Sequence, residues 1–116
     1  MKFDTIIIGG GLSGLISGIY LSQRGQRCVI ISSGQSALHF SSGSFDLLNN
    51  LPDGTSVQKP LDAISELVKQ APTHPYAKLG ETKFKELAQQ AEEFFKNAGI
   101  STQGDHEENH YRVTPM

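Results

Sequence analysis

The stretch TIIIGGGLSGLISG, residues 5–18, decides the fold that this sequence predicts, because an isoleucine-rich run stops abruptly at a group of glycines. Phe3–Ile8 shows no polar alternation, which is typical of a strand covered on both faces in a parallel sheet. From Leu12 onward apolar residues recur at helical spacing, and Gly25 stands where a helix ends. Cys28–Ile31 reads as a second short buried strand. This order predicts a βαβ unit with parallel strands.

The glycines fit the pattern G-x-G-x-x-G at Gly9, Gly11 and Gly14. The first glycine permits a sharp turn, the second lets the backbone approach a pyrophosphate, and the third lets the helix pack closely on the strand. Gly18 lies one turn further along the helix and again leaves room for close packing on the sheet. The alternative is a glycine turn with a purely structural role. The motif predicts a phosphate-containing cofactor bound by the turn and the first helical residues: Gly9, Gly10, Gly11, Leu12, Ser13 and Gly14.

The end of the second strand departs from the usual dinucleotide site. An Asp or Glu normally lies about 20 residues beyond the glycines and binds the ribose hydroxyl. This sequence has Ser32 and Ser33 there, and no arginine nearby that could pair with a 2′-phosphate. Serine can still hydrogen-bond to a ribose or a phosphate, but without a charge. We therefore expect the adenosine half of a dinucleotide to be held differently or to be absent.

Composition excludes several classes of protein. The net charge of −2 gives no basic footprint for nucleic acid or anionic lipid. The apolar start is broken by Asp4 and by glycines, so it predicts neither a signal peptide nor a membrane span. The single cysteine, Cys28, excludes an internal disulfide and a multi-cysteine metal site, and its apolar neighbours predict a buried thiol. A reducing cytoplasmic compartment is consistent with this cysteine content.

A family resemblance rests on longer stretches than the glycine motif. The residues FDTIIIGGGLSGLISGIYLSQRGQRCVIISSGQSALHFSSGSFDLLNNLPDG, followed by QAPTHPYAKLG and HYRVTP, resemble the N-terminal part of the B-subunit family of anaerobic glycerol-3-phosphate dehydrogenases. The segment GQSALHFSSGSFDLL carries the most specific part of the resemblance. Because members of that family are longer than this chain, we expect a fragment of a longer protein.

The resemblance implies a flavoprotein with FMN as cofactor and FAD as the alternative. It implies a quinone-linked complex that oxidises sn-glycerol 3-phosphate to dihydroxyacetone phosphate. The partners would be a catalytic A subunit and an iron–sulfur C subunit that anchors the complex to the membrane. The location would be cytoplasmic, peripheral to the inner membrane through the complex. A second hypothesis is a non-catalytic assembly subunit with a vestigial dinucleotide-binding fold.

The resemblance also places the whole chain in one α/β domain. Residues 1–116 would form the N-terminal part of a Rossmann-like, FAD/NAD(P)-binding fold: a βαβ unit at about 3–32, a flavin-side loop at about 33–50 and a helical segment at about 60–99. A strand is expected at HYRVT, residues 110–114. In that loop, Ser42 or Ser44 is expected to cap a short helix over Phe45–Leu48. The residues expected to contact the flavin there are His39, Ser41, Ser42, Gly43 and Ser44. The competing interpretation is a solvated loop.

Two helices are predicted beyond this loop. A stripe of Leu61, Ile64, Leu67 and Val68 ends at Pro72, THPYAKLG reads as a connector, and residues 81–100 form the clearest helix. The apolar face of this helix packs either in the core or against a partner. That face consists of Phe84, Leu87, Ala88, Ala91, Phe94 and Phe95. His106 and His110 would form a metal pair only on a helix, and their surroundings read as a loop, so no metal site is predicted.

Overall fold

The computed structural model describes residues 1–111. The chain divides into two compact units, a first of Met1–Ser44 and a second that starts at Phe45. Of the strand expected at 110–114, residues 112–114 lie outside the described residues, and His110 and Tyr111 belong to no regular element.

The first unit is the βαβ arrangement that the sequence predicts. Strand β1 spans Thr5–Ile8, helix α1 spans Leu12–Ser22, and strand β2 spans Cys28–Ile31. The two strands are parallel, and their register runs from Thr5 opposite Cys28 to Ile8 opposite Ile31. The β-branched isoleucines and valine of both strands favour this extended backbone. The strand β1 begins at Thr5 and not at Phe3.

Helix α1 covers only one face of this two-stranded sheet. The Gly18 backbone is buried against Ile7 and Ile30, and a Cβ placed on Gly18 would lie 3.0 Å from Ile30 Cδ1. On the opposite face Ile6 and Ile8 are 62% and 88% exposed. The expectation that both faces are covered is therefore wrong for the described residues, because two strands and one helix can bury a single face. The prediction of a buried Cys28 thiol is also wrong, since this residue is only half-buried.

The amino ends of the two strands are held together by polar contacts. The Arg27 guanidinium donates to both carboxylate oxygens of Asp4, each at 3.1 Å, and the Arg27 N–H donates to Asp4 Oδ2 at 2.9 Å. The Arg27 side-chain hydrogen bonds, followed by the backbone one, lower the pKa of Asp4 below its usual value. Thr5 Oγ1 donates to Gln26 Oε1 at 2.7 Å beside this pair. These contacts set the strand register at the edge remote from the glycines.

The second unit is built around a small apolar core. Helix α2 spans Ile64–Gln70 and helix α3 spans Pro75–Asn97. The Asn109 side chain closes the unit, since its amide donates to the carbonyl oxygens of Leu48 at 2.9 Å and Val57 at 2.6 Å. The core consists of Leu48, Leu51, Val57, Ile64, Leu67 and Phe84.

Helix α3 confirms the predicted long helix and corrects its start. It contains most of the predicted connector, because helix already begins at Pro75, and it is broken at Gly80, where φ is +74°. The break lets the Tyr76 ring pack on Phe84, with centroids 4.6 Å apart. Gly99 follows the helix with φ of +75°, as a glycine after a helix C-terminus does. The predicted apolar face is only partly core, since Phe84 alone is buried and Ala91 is exposed.

We expect Leu67→Ala to lower the free energy of unfolding by about 3 kcal/mol, because Leu67 is 1% exposed and its truncation leaves a cavity. Val68→Ala, one residue along the same helix and 40% exposed, is the matched control and should cost less than about 1 kcal/mol. Urea denaturation followed by circular dichroism measures both. Equal losses in the two variants would contradict this description of the core.

Candidate functional site

The candidate site lies at the edge where both strands end. The Gly9 N–H donates to the carbonyl oxygen of Ile31 at 2.8 Å, which continues the parallel pairing one step beyond β1. Gly9 then turns the chain with φ of +113°, a conformation that side chains rarely allow. The predicted role of the first motif glycine, a sharp turn after the strand, is therefore confirmed. Since parallel strands end at the same edge, Ser32 and Ser33 follow β2 at this edge as well.

Helix α1 begins at this edge without a cap. Its N-cap residue, Gly11, provides no side-chain hydrogen bond, and its first turn contains no acidic residue. The first bond into the helix runs from the Leu15 N–H to the Gly11 carbonyl at 3.0 Å. The N–H groups of Leu12, Ser13 and Gly14 thus belong to the first turn, which has no intrahelical acceptors. They carry the positive end of the helix dipole and suit an anion.

Two further glycines of the turn differ in what surrounds them. A Cβ on Gly14 would collide with the carbonyl oxygen of Gly9 and lie 3.4 Å from Ile7 Cγ2, so the helix needs glycine there to approach the strand. A Cβ on Gly11 would meet no heavy atom within 4 Å. Gly11 therefore faces open space, and packing within the chain does not require a glycine at this position.

The serines after β2 present free hydroxyl groups. Within residues 1–111 neither Ser32 nor Ser33 makes a side-chain hydrogen bond, and both are exposed. Ser32 lies beside the glycine turn, because a Cβ on Gly10 would lie 2.7 Å from Ser32 Oγ and 2.9 Å from Ser32 Cβ. The structure thus brings Ser32 to the predicted glycine residues.

The predicted flavin-side loop has a different local structure. The expected helix over Phe45–Leu48 is absent, and a short 3-10 helix, Ala37–Phe40, stands upstream of it. Its cap is Ser36, whose Oγ accepts from the Leu38 N–H at 3.2 Å, so the capping prediction for Ser42 or Ser44 is wrong. Those two serines bond instead to each other, with their hydroxyl oxygens 2.6 Å apart, which satisfies them locally.

His39 and the small residues after it make no hydrogen bond to the glycine turn within the described residues. The His39 ring packs edge-on against Phe40, with centroids 4.9 Å apart, and it is exposed. In the described part of the chain no hydrogen bond joins residues 39–44 to residues 9–14. Their predicted contact with a cofactor stays a prediction.

Charge is segregated within the first unit. Its acidic and basic side chains are Lys2, Asp4, Arg24 and Arg27. Asp4 and Arg27 pair at the amino edge of the sheet, and Arg24 lies over the Tyr20 ring at 3.3 Å from its centroid, near the end of α1. The carboxyl edge, formed by the glycine turn with Ser32 and Ser33, has backbone groups and hydroxyls but no charged side chain. An anion at this edge would therefore be bound by backbone dipoles.

A contact in the second unit between a buried histidine and a half-buried glutamate was missed by sequence reasoning. His106 is 8% exposed, and its Nδ1 lies 2.8 Å from Glu92 Oε1, which also accepts from the His106 N–H. The two residues are separated in sequence and carry no shared motif, so no local signal could have paired them. No group of three or more His, Cys, Asp or Glu side chains within residues 1–111 could hold a metal ion.

Known proteins resemble this chain over its whole length. Residues 4–116 match the family model described as FAD binding domain. The chain is 52% identical over 116 residues to the anaerobic glycerol-3-phosphate dehydrogenase B subunit of Pectobacterium atrosepticum, and 55% identical over 117 residues to that of Yersinia pestis. The B subunit from Haemophilus ducreyi is 50% identical over 116 residues. These alignments cover the whole chain and confirm the resemblance noted from the sequence.

The chain corresponds to only part of the length of these relatives. The chain spans 28% of the length of the first two relatives and 27% of the third. No solved structure matches it significantly. Among residues 1–111, no helix is long and apolar enough to cross a bilayer.

We expect Gly14→Ala to destabilise the first unit by about 2 kcal/mol, because the collision with the Gly9 carbonyl outweighs the better helix propensity of alanine. Gly11→Ala is the matched control, and its open surroundings predict a change of less than about 1 kcal/mol. Amide hydrogen exchange in β1 measures both effects. A Gly14→Ala chain as protected as the control would contradict the close approach.

Proposed function

The chain belongs to the FAD-binding domain family, and from this membership we propose that its first unit binds the phosphate group of a flavin. The observation that carries the proposal is the uncapped start of α1, which lies beside open space at Gly11. Anions bind such helix starts because N–H groups without partners and the helix dipole act together. The first turn of α1 has no acidic side chain, so no carboxylate there would repel a phosphate.

Each predicted site residue has a part in this proposal. Gly9 turns the chain, the backbone N–H groups of Gly10–Gly14 bind the phosphate, and the hydroxyls of Ser32 and Ser33 contact the next part of the ligand. His39 and the segment 41–44 approach the ring system. A bound flavin supplies reversible two-electron chemistry. The chain's own residues bind its phosphate and orient it, without a charged side chain.

Flavin is the cofactor class that family membership supports, and we propose FMN, with FAD as the alternative. Asp4 is the sole carboxylate of residues 1–44, and Arg27 pairs with it at the opposite edge of the sheet. The first unit therefore offers no carboxylate to an adenosine ribose, which FAD has and FMN lacks. Ser32 and Ser33 give neutral hydrogen bonds in its place.

For the complete protein we propose the role of the B subunit in an anaerobic glycerol-3-phosphate dehydrogenase. It would take part in oxidising sn-glycerol 3-phosphate to dihydroxyacetone phosphate and in passing electrons toward quinone. Its partners would be a catalytic A subunit and an iron–sulfur C subunit that anchors the complex peripherally to the inner membrane, with this subunit on the cytoplasmic side. Identity of 50–55% to proteins of that name supports the proposal.

The proposal extends to a complete Rossmann-like domain. The chain of residues 1–116 would be the N-terminal part of this domain, and the remainder of the subunit would add further strands. Two observations support this: Ile6 and Ile8 are exposed on an uncovered sheet face, and α1, from Leu12 to Ser22, contains no charged residue. Apolar residues of this helix, Leu15, Ile16 and Ile19 among them, are also exposed, and a larger protein would bury them.

We expect Gly11→Val to remove bound flavin from the complete subunit, because the valine side chain would fill the space in which the phosphate approaches the backbone. Flavin absorbance per polypeptide after purification measures the loss. Ser17→Val, at an exposed position further along α1, is the control and should retain the cofactor.

Equal flavin content in Gly11→Val and wild type would contradict the phosphate site. A complete wild-type subunit without flavin would favour the alternative, an assembly subunit with a vestigial dinucleotide-binding fold. Circular dichroism of both variants shows whether a loss of flavin reflects unfolding.

We expect acid extraction of the complete subunit to release FMN, identified by chromatography. In that case Ser32→Glu leaves retention unimproved, since FMN has no adenosine ribose for the new carboxylate to contact. If the subunit holds FAD, the same change should tighten binding by about 1–2 kcal/mol, because a charge-assisted hydrogen bond replaces a neutral one. Recovery of FAD alone would overturn the FMN assignment.

A further inference from the structure

Gly10 is the glycine of the turn that the G-x-G-x-x-G pattern does not explain. Its φ is not positive, so its backbone conformation is open to other residues. Space is what restricts it: an added Cβ would lie 2.7 Å from Ser32 Oγ and 2.9 Å from Ser32 Cβ. Carbon atoms without a bond between them do not approach this closely, so alanine at position 10 would force the turn and Ser32 apart.

The contact with Ser32 Cβ decides how the chain could respond. Rotation about the Ser32 Cα–Cβ bond moves Oγ away but leaves Cβ where it is. The Cβ can move only if the backbone of Ser32 or of the turn moves. That backbone is also fixed one residue earlier in each segment, by the 2.8 Å hydrogen bond from the Gly9 N–H to the Ile31 carbonyl. The turn is thus held against the end of β2 by two neighbouring contacts: the hydrogen bond between Gly9 and Ile31, and the packing of Gly10 on Ser32.

We propose that Ser32 is a positioning residue, whose side chain packs on Gly10 and holds the glycine turn at the angle that directs its N–H groups toward the ligand phosphate. This inference rests on the proposed phosphate site and adds a residue that acts through the turn. It also explains why residue 10 is glycine: Ser32 occupies the space of a side chain there. Hydrogen bonding is not needed for this role, since the Ser32 hydroxyl has no partner within residues 1–111.

The test is a rescue experiment in the complete subunit, with FMN and FAD titrated separately into the flavin-free protein. Gly10→Ala should weaken flavin binding about tenfold, since the turn is displaced. Adding Ser32→Gly, which removes both close atoms, should restore most of the lost affinity, apart from the share that the Ser32 hydroxyl contributes. Adding Ser32→Ala, which removes Oγ but keeps Cβ, should restore it only in part. Ser32→Gly alone should weaken binding severalfold, because it removes both the packing against Gly10 and the hydroxyl proposed to contact the ligand.

Matched controls separate this contact from a general loosening of the loop. Gly11→Ala also weakens binding, by intruding on the phosphate, but its Cβ meets no neighbour, so Ser32→Gly should not rescue it. Ser33→Gly, one residue further on, should not rescue Gly10→Ala. The positioning role is overturned if Gly10→Ala binds flavin like wild type or if Ser32→Gly fails to rescue it. It is also overturned if Ser32→Gly rescues Gly11→Ala, or if Ser33→Gly rescues Gly10→Ala, to the same extent.

Failure of the phosphate site itself would look different, because the wild-type protein would then bind neither flavin. The proposed function would fall, while thermal unfolding of the flavin-free proteins would still report the contact: Gly10→Ala should lower the melting temperature and Ser32→Gly should restore it. If the wild type binds flavin and only the rescue is missing, the positioning inference alone is overturned.

Discussion

The hydrogen bond from the Gly9 N–H to the Ile31 carbonyl is the constraint on which the first unit depends. It keeps the chain paired with β2 for one residue after β1 ends, so the turn begins at a fixed point above the sheet edge. Everything that follows is placed by short-range geometry. Gly9 reverses the chain, Gly11 opens α1, and the close approach at Gly14 brings the helix onto the strand. A loose turn would leave the helix start without a defined direction.

The two edges of the sheet have opposite chemistry. The amino edge carries an ion pair, Asp4 with Arg27, which fixes register and lowers the pKa of the carboxyl group. The carboxyl edge has no charged side chain and presents N–H groups and hydroxyls. This separation suits the proposed phosphate site, because a carboxylate near the α1 start would repel a phosphate, whereas the pair at the far edge stabilises the strands at a distance from that site.

The second unit is held together differently, by contacts between residues distant in sequence. Its core lies between α2, α3 and the segment around Leu48–Val57. Asn109 joins that segment to the end of the described chain through two carbonyl acceptors, and Glu92 binds His106 through both its ring and its backbone. Partly buried polar groups with specific partners favour one arrangement, since a displaced partner would cost their hydrogen bonds.

The sequence by itself determined the βαβ order, the glycine turn and the long helix ending before Gly99, because these follow from local rules: chain periodicity, backbone freedom at glycine and helix termination. Tertiary structure alone decided the contact of Gly10 with Ser32, the pairing of Glu92 with His106 and the exposure of Ile6 and Ile8. Each of these depends on which segments meet in space or on how many strands cover a face. Local patterns show that an isoleucine belongs to a strand, but only packing determines whether anything covers it.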